Sequence, residues 1–262
     1  MDRLLANGMV NAAQSGEGPA LFLFHSLLSD RPSFDRIAPQ LSRTHRVIVP
    51  ELPGFGGSKA VDGGLAAVAD RMAEAVSEAA GDDTVVLGNG YGGFVALQMA
   101  IRHPTIASKF ILADCGAAFS QAGREAFRNM VAASKAEGLA AITDVAMRRL
   151  FAPEFQAQHP DLMRDRREAF LKTDVGVLQA ACASLAELDL RSELSKVKVP
   201  VLVLVGEYDE ATPPPMSHEL AALLPNARLK VLAGCAHVPQ LQAPDAFLDA
   251  IADFLPAGIL KD

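Results

Sequence analysis

Short apolar runs alternate with stretches of helical spacing through the first part of the chain. Apolar runs rich in β-branched residues, each followed by an amphipathic stretch, predict buried parallel strands joined by helical crossovers. A short strand and a glycine-rich turn are expected within residues 9–20. The other expected strands are 20–24, 46–50, 84–87 and 110–114, and the expected helices are 33–41 with Ser33 as its N-cap, 65–80, and 91–103.

The pattern changes at about residue 117, and from there to about 189 only helical spacing is found, interrupted by Gly138, Pro153 and Pro160. Strands are expected again at 199–206 and 228–232, and helices at 217–224 and 244–254. A helical insertion within an α/β sheet predicts a core of residues 1–116 and 190–262 under a helical cap of residues 117–189. Several arginines of the cap are expected to form a solvated helical face: Arg148, Arg149, Arg164, Arg166 and Arg167.

The composition and charge of the chain argue against several classes of protein. The chain has 262 residues, half of them hydrophobic, and a net charge of −7. An acidic chain without a basic run is a poor nucleic-acid binder. We find no signal-peptide pattern and no apolar run of membrane-spanning length, so we expect a cytoplasmic protein without a membrane partner. The three cysteines, Cys115, Cys182 and Cys235, are far apart and are expected to be buried, reduced thiols.

The segment after the fourth expected strand carries the first chemical motif, Gly88-Asn89-Gly90-Tyr91-Gly92. A strand that turns this tightly into a helix needs a positive φ, which glycine adopts without strain. The segment resembles the nucleophile elbow of α/β-hydrolases, whose signature is G-x-S-x-G, but Gly90 stands where the family has serine. A dinucleotide-binding interpretation of Gly88, Gly90 and Gly93 is less favoured, because that motif belongs on the first strand of its fold.

Further motifs carry the same resemblance, in the order that the family has them. His25-Ser26 follows a strand where members often have His-Gly, and residues 51–58 resemble D-x-P-G-x-G-x-S with Glu51 in the first position. Residues 206–214 match a G-x-x-D context followed by Thr-Pro-Pro, and residues 234–237 match G-x-x-H. The resemblance implies an α/β-hydrolase fold, a mostly parallel, doubly wound sheet with a helical cap insertion.

The resemblance also assigns roles to residues. His237 would be the base and Asp209 the acid that fixes its tautomer, with Asp114 as a less favoured acid. The backbone N–H groups of Tyr91 and of Ser26 or Leu27 would form the oxyanion hole. His25 and Asn89 are expected to belong to the substrate pocket. No metal site and no cofactor are expected.

The absence of a serine at Gly90 leaves three hypotheses. In the first, a water in the vacated space attacks the substrate directly, with His237 as general base. In the second, Ser26 and His237 perform lyase or isomerase chemistry, since hydroxynitrile lyases of this fold carry a hydroxyl residue where Ser26 stands. In the third, the protein binds a small molecule without catalysis. Ser26 is not expected to replace the nucleophile, because it lacks the elbow.

Within the family, the motifs are most similar to those of 3-oxoadipate enol-lactonases and related ring-cleavage hydrolases. The substrate class that this resemblance implies is a small, partly anionic carbonyl compound: an ester, lactone, carbamate or β-diketone. A cap arginine would then supply the counter-charge, although the sequence does not say which one. A monomer and a homodimer are both compatible with the sequence.

Overall fold

A single sheet of eight strands forms the centre of the molecule, with the strand order β1-β2-β4-β3-β5-β6-β7-β8. The structure is a computed structural model that describes residues 1–257. The strands are β1 Asp2–Leu5, β2 Val10–Ser15, β3 Ala20–Phe24, β4 Arg46–Pro50, β5 Val85–Asn89, β6 Lys109–Ala113, β7 Val201–Gly206 and β8 Ala227–Leu232.

The sheet is parallel from β4 through β8, whereas β1 and β2 add an antiparallel edge. The strands β3, β5 and β7 are buried at every position, as expected for parallel strands covered on both faces. Successive residues of β3 therefore enter different cores: Phe22 and Phe24 on one side of the sheet, Leu21 and Leu23 on the other. This arrangement confirms the predicted α/β-hydrolase fold.

Helices cover both faces of the sheet. The core helices are α1 Ala38–Leu41, α2 Gly64–Ser77, α3 Tyr91–Arg102, α9 Pro214–Leu223, α10 Pro239–Gln242 and α11 Pro244–Ala252. The helices α2 and α3 contribute to the core on the Phe22 side, and α11 contributes to the core on the Leu21 side. Within residues 1–257, no helix combines the length and apolarity needed to cross a bilayer.

Two local predictions were wrong. The stretch 33–41 is not one helix but a 3-10 turn, Arg31–Phe34, followed by the short α1, because Pro32 and Pro39 lack the N–H that a continuous helix needs. Ser33 is buried inside the 3-10 turn and is therefore not an N-cap. The strand β1 was missed, because its first residues are polar and largely exposed at the edge of the sheet.

Five helices lie between β6 and β7: α4 Gln121–Glu137, α5 Thr143–Leu150, α6 Pro153–Gln158, α7 Pro160–Leu171 and α8 Val175–Ala186. Side-chain caps and prolines define where four of these helices begin. The side chains of Ser120 and Asp174 cap α4 and α8 by accepting from backbone N–H groups, and proline opens α6 and α7. The insertion leaves and rejoins the core at one place, where Ala118 and Asp189 form an antiparallel bridge.

Candidate active site

Gly90 forms the tight turn between β5 and α3, with φ +54° and ψ −119°. This positive φ is the reason that glycine suits the position. A Cβ built on Gly90 would lie 2.4 Å from the Ser26 Oγ and 2.6 Å from the His237 Nε2. The backbone therefore has the geometry of an elbow that aims its central residue at a histidine, even though that residue has no side chain.

His237, on the loop after β8, is paired with Asp209, on the loop after β7. The His237 Nδ1 lies 2.9 Å from the Asp209 Oδ2, and both side chains are almost fully buried. With Nδ1–H donating to the carboxylate, the Nε2 lone pair is free to accept a proton. That lone pair faces Gly90. The pair has the arrangement of a general base and its orienting acid.

Asp209 is held by a full set of hydrogen bonds. Its Oδ1 accepts from the N–H groups of Ala211 and Thr212, at 2.8 and 3.0 Å, and the Thr212 hydroxyl donates to its Oδ2 at 2.6 Å. Burial alone would raise the pKa of Asp209, but His237 and these Thr212 hydrogen bonds hold it below its ordinary value. Asp209 is therefore ionised and fixed in place before any ligand arrives.

A second carboxyl group, Asp114, lies beside this pair. It adopts a positive φ of 53° directly after β6 and is fully buried. Its oxygens accept from the Gly206 N–H at 2.8 Å and from the Asn89 Nδ2 at 3.0 Å. Burial raises the pKa of Asp114 well above its usual value, and the negative charge of Asp209 raises it further. This environment favours the protonated form of Asp114, and the carboxylate on the His237 Nδ1 is that of Asp209.

Asp114, Asp209 and His237 are also the place where a metal could be considered, since one ligand atom from each lies within 4.8 Å of the others. The donor set does not favour a cation. The Asp209 and Asp114 oxygens already accept hydrogen bonds from four N–H groups and one hydroxyl. A cation would have to displace these donors, so the cluster is better described as a hydrogen-bond network.

Ser26 occupies much of the space that a side chain at Gly90 would need. Its Oγ lies 3.3 Å from the His237 Nε2, within reach of a hydrogen bond. The second hypothesis from the sequence paired the Ser26 hydroxyl with His237, and in the structure these two groups are in contact. Within residues 1–257, the N–H groups of Ser26, Leu27 and Tyr91 show no hydrogen-bond acceptor, and all three residues line one cavity.

His25 and Asn89, which were expected in the substrate pocket, are both hydrogen-bonded within the protein. The fully buried His25 ring bonds the Ser26 carbonyl through Nδ1 and accepts from the Leu52 N–H through Nε2, and burial lowers its pKa. Asn89 donates to the His237 carbonyl at 2.9 Å as well as to Asp114. Both side chains are engaged in holding the loops that carry the site.

The cavity lies between the loops of the candidate site and the helices that connect β6 to β7. Its volume is about 30 Å³, and its wall includes Ser26, Gly90, His237 and, on α5, Arg149. Space of this size holds about two water molecules. The expectation of a solvated arginine face was wrong for Arg149, which turns toward the cavity, and for Arg166, whose largely buried guanidinium pairs with Asp30.

Comparison with known proteins identifies the family of this chain. The sequence profile of the alpha/beta hydrolase family matches residues 20–250. The chain belongs to the alpha/beta hydrolase family. A pimeloyl-[acyl-carrier protein] methyl ester esterase from Aeromonas hydrophila subsp. hydrophila is 28% identical over 259 residues, which cover 94% of this chain and 99% of that protein.

Two solved structures show how closely this alpha/beta hydrolase follows the family fold. A thermophilic esterase from Thermogutta terrifontis, with malate bound, has a TM-score of 0.85 at 26% identity, with 97% of each chain covered. The enol-lactonase from Burkholderia xenovorans LB400 has a TM-score of 0.85 at 24% identity, with 97% of this chain and 99% of that one covered, and it shares the fold. The predicted family, including its likeness to enol-lactonases, is confirmed.

Proposed function

We propose that this alpha/beta hydrolase hydrolyses a small ester or a related carbonyl compound without a nucleophile on its elbow. The observation that carries the proposal is the buried His237–Asp209 pair, whose free Nε2 faces the glycine of an intact elbow. We also propose that residues 117–189 act as a cap over this site. The methyl ester esterase and the enol-lactonase named above support an ester or a lactone as substrate.

In the proposed reaction, water supplies the oxygen that Gly90 cannot. His237 Nε2 takes a proton from a bound water as the water oxygen attacks the carbonyl carbon. The oxyanion that forms accepts hydrogen bonds from the Tyr91 N–H and from the N–H of Ser26 or Leu27, which have no acceptor within the described residues. The tetrahedral intermediate then expels the alkoxide, which takes the proton back from His237. The products are an acid and an alcohol, and the base is regenerated.

A second function is favoured by one observation, the contact of 3.3 Å between the Ser26 Oγ and the His237 Nε2. A hydroxyl and a base in contact can bind a substrate hydroxyl and move its proton. This is the requirement for a lyase or an isomerase, and no water is consumed. The two functions therefore differ in whether oxygen from the solvent enters the product.

The deciding experiment is turnover of a panel of esters, enol-lactones, carbamates and β-diketones in water enriched in ¹⁸O. Hydrolysis places the label in the acid product, whereas a lyase or isomerase product stays unlabelled. We expect His237→Ala to reduce kcat at least about 10²-fold. The matched control is His103→Ala, which removes another histidine paired with aspartate, partly exposed and at the opposite end of α3 from Gly90.

Three results would contradict the proposal. Turnover without label would favour the second function. Equal activity of His237→Ala and His103→Ala would remove His237 from the reaction. Binding of panel members without any turnover would leave the protein as a small-molecule binder.

A further inference from the structure

The cavity beside Gly90 is too small to hold a whole ester. Its volume is about 30 Å³, whereas cavities that bind small molecules usually measure about 300–1,000 Å³. A space of this size accepts water, but it does not accept an acyl group and an alcohol group together. The rest of the substrate therefore needs a second space that can be joined to this one.

A second cavity, of about 290 Å³, is adjacent to Tyr91. Tyr91 is the residue that follows Gly90, and it is the first residue of α3. Within residues 1–257, it is the only residue that lines both cavities. Tyr91 therefore forms the boundary between the cavity that contains the proposed base and a space large enough for the remainder of a substrate.

The wall of the second cavity combines small residues with two acids. One part of it comes from the segment that leads into α2, and the other part comes from α8 and its N-cap. The charged residues of the wall are Asp62 and Asp174, and no lysine, arginine or histidine of the described chain lines it. An ionised carboxyl group in this cavity would lose water without gaining a counter-ion. The wall therefore suits an uncharged chain. Its small residues are Ala60, Gly63, Gly64, Gly176, Ala180 and Ala181.

No hydrogen bond within residues 1–257 fixes the Tyr91 side chain. The residue is only 5% exposed, yet its hydroxyl has no partner in the part of the chain that the structure describes. Burial raises the pKa of Tyr91, so the hydroxyl keeps its proton and remains a donor. A buried hydroxyl without a partner is costly. A conformation in which the ring turns and the hydroxyl meets a ligand or a water would recover this cost.

We propose that the second cavity binds an uncharged chain of the substrate, and that the Tyr91 ring turns aside to join this cavity to the one at Gly90. The substrates are then esters whose acyl or alcohol part is a straight, uncharged chain. This inference rests on the proposed function, because it concerns the substrate of the same site. It makes the Tyr91 side chain a determinant of specificity, in addition to the proposed role of its backbone N–H.

The first test measures kcat/KM for p-nitrophenyl esters of straight-chain acids and for alkyl acetates, which lengthen the acyl part and the alcohol part respectively. We expect one series to gain about 4-fold for each methylene group, up to a chain of about six carbons. Ala180→Leu adds bulk to the wall of the second cavity at an exposed position. It should lower the value for the six-carbon member at least about 10-fold, and that for the shortest member less than about 3-fold.

The matched control is Ala183→Leu, which makes the same change at another exposed position of α8 that does not line the cavity. It should leave both values unchanged. The charge of the chain is tested in the series that shows the gain, by replacing the terminal methyl group of the six-carbon chain with a carboxylate. We expect kcat/KM of the wild type to fall at least about 10-fold. Equal values for the charged and uncharged chains, or no dependence on chain length in either series, would overturn the inference.

The movement of Tyr91 can be followed without turnover. The chain has no tryptophan and two tyrosines, and the second, Tyr208, is 57% exposed. Tyr208→Phe therefore leaves Tyr91 as the only tyrosine, whose fluorescence reports on its own surroundings. Hexanamide is an uncharged probe with a straight chain. We expect it to change this fluorescence saturably, and we expect the added Ala180→Leu to raise the midpoint at least about 10-fold.

Three results of this titration are informative. Hexanamide binding, measured by calorimetry, without a change in fluorescence would contradict the turning of Tyr91. Equal midpoints with and without Ala180→Leu would contradict the second cavity as the binding site. If no ester is hydrolysed but Ala180→Leu weakens hexanamide binding while Ala183→Leu does not, the proposed hydrolysis fails and the site for an uncharged chain stands.

Discussion

The two sides of the candidate site differ in how completely their polar groups are satisfied. On the side of Asp209 and Asp114, each carboxyl oxygen accepts at least one hydrogen bond from the protein. On the cavity side, the Tyr91 N–H and most of the Arg149 guanidinium have no acceptor among the described residues. Buried polar groups are normally paired, so the first side is complete in the free protein and the second has the form of a site that a ligand completes.

The largest expected effect is that of a substitution at Asp209, on the side of the site whose hydrogen bonds are complete. Asp209→Asn removes the charge that stabilises the His237 imidazolium and turns the Nδ1 acceptor into an amide, which permits the wrong tautomer. We expect kcat to fall about 10³- to 10⁴-fold. The measurement is steady-state hydrolysis of whichever ester the panel identifies. Asp70→Asn, which alters the surface pair with His103, serves as the control and should leave kcat unchanged.

The next effect comes from restoring the missing side chain on the cavity side. Gly90→Ser places a Cβ against the Ser26 Oγ and the His237 Nε2 and imposes a left-handed φ on an L-residue. We expect a loss of about 2 kcal/mol in the free energy of unfolding, measured in urea. Adding Ser26→Gly removes the clashing hydroxyl and should recover part of that loss.

The same double variant, Gly90→Ser with Ser26→Gly, should show an acyl-enzyme burst with p-nitrophenyl esters, because it has both a nucleophile and space for it. The wild type, whose elbow has no hydroxyl, is the reference and should show no burst from this position. A double variant that folds but shows no burst would mean that the turn at Gly90 does not aim its side chain at His237.

The sequence predicted the site residues on the Asp209 side more completely than those on the cavity side, for a physical reason. Asp209 and His237 could be found because each lies in a short motif after a strand, and the strand before Asp209, β7, stands out as a buried, continuous apolar run. The orientation of Arg149 could not be found in the same way. Arg148 and Arg149 are neighbours on one helix, and only the packing of α5 against the helices around it decides which of them faces the cavity. The pairing of the Ser26 hydroxyl with His237 was suggested only by the resemblance to hydroxynitrile lyases, because the contact joins loops that are distant in sequence.

A smaller effect, which depends on pH, tests whether Asp114 is neutral. Its pKa is raised by burial and by Asp209, so the folded protein keeps a proton that the unfolded chain releases near pH 4. The stability that this proton contributes is present below pH 4 and is lost as pH rises toward the folded-state pKa. Asp114→Asn mimics the protonated form and is free of this loss.

The advantage of Asp114→Asn over the wild type should therefore grow from pH 5 to pH 8, by at most about 1.4 kcal/mol per pH unit. Urea unfolding at each pH measures it. The control is Asp70→Asn, because the pKa of Asp70 is lowered to about 2, chiefly by its hydrogen bond to Arg102. Asp70 is ionised in the folded and the unfolded state over this range. The difference in the free energy of unfolding between Asp70→Asn and the wild type should therefore not change with pH. A flat difference for Asp114→Asn would show that Asp114 is ionised in the folded protein.

The smallest expected effect is that of Ser26→Ala, and it decides what the Ser26 hydroxyl does. The His237 Nε2 has one lone pair, which the Ser26 Oγ–H and a water would share in turn. If water is the attacking group, removing the hydroxyl frees that lone pair, and kcat/KM should change by less than about 10-fold. The control is Ser29→Ala on the same loop, where a buried hydroxyl has no partner within the described residues. A loss above about 10³-fold, together with an acyl group on Ser26 detected by mass spectrometry, would make Ser26 the nucleophile. The vacant elbow would then mean that the attacking oxygen has moved to the loop after β3, while its base has stayed in place.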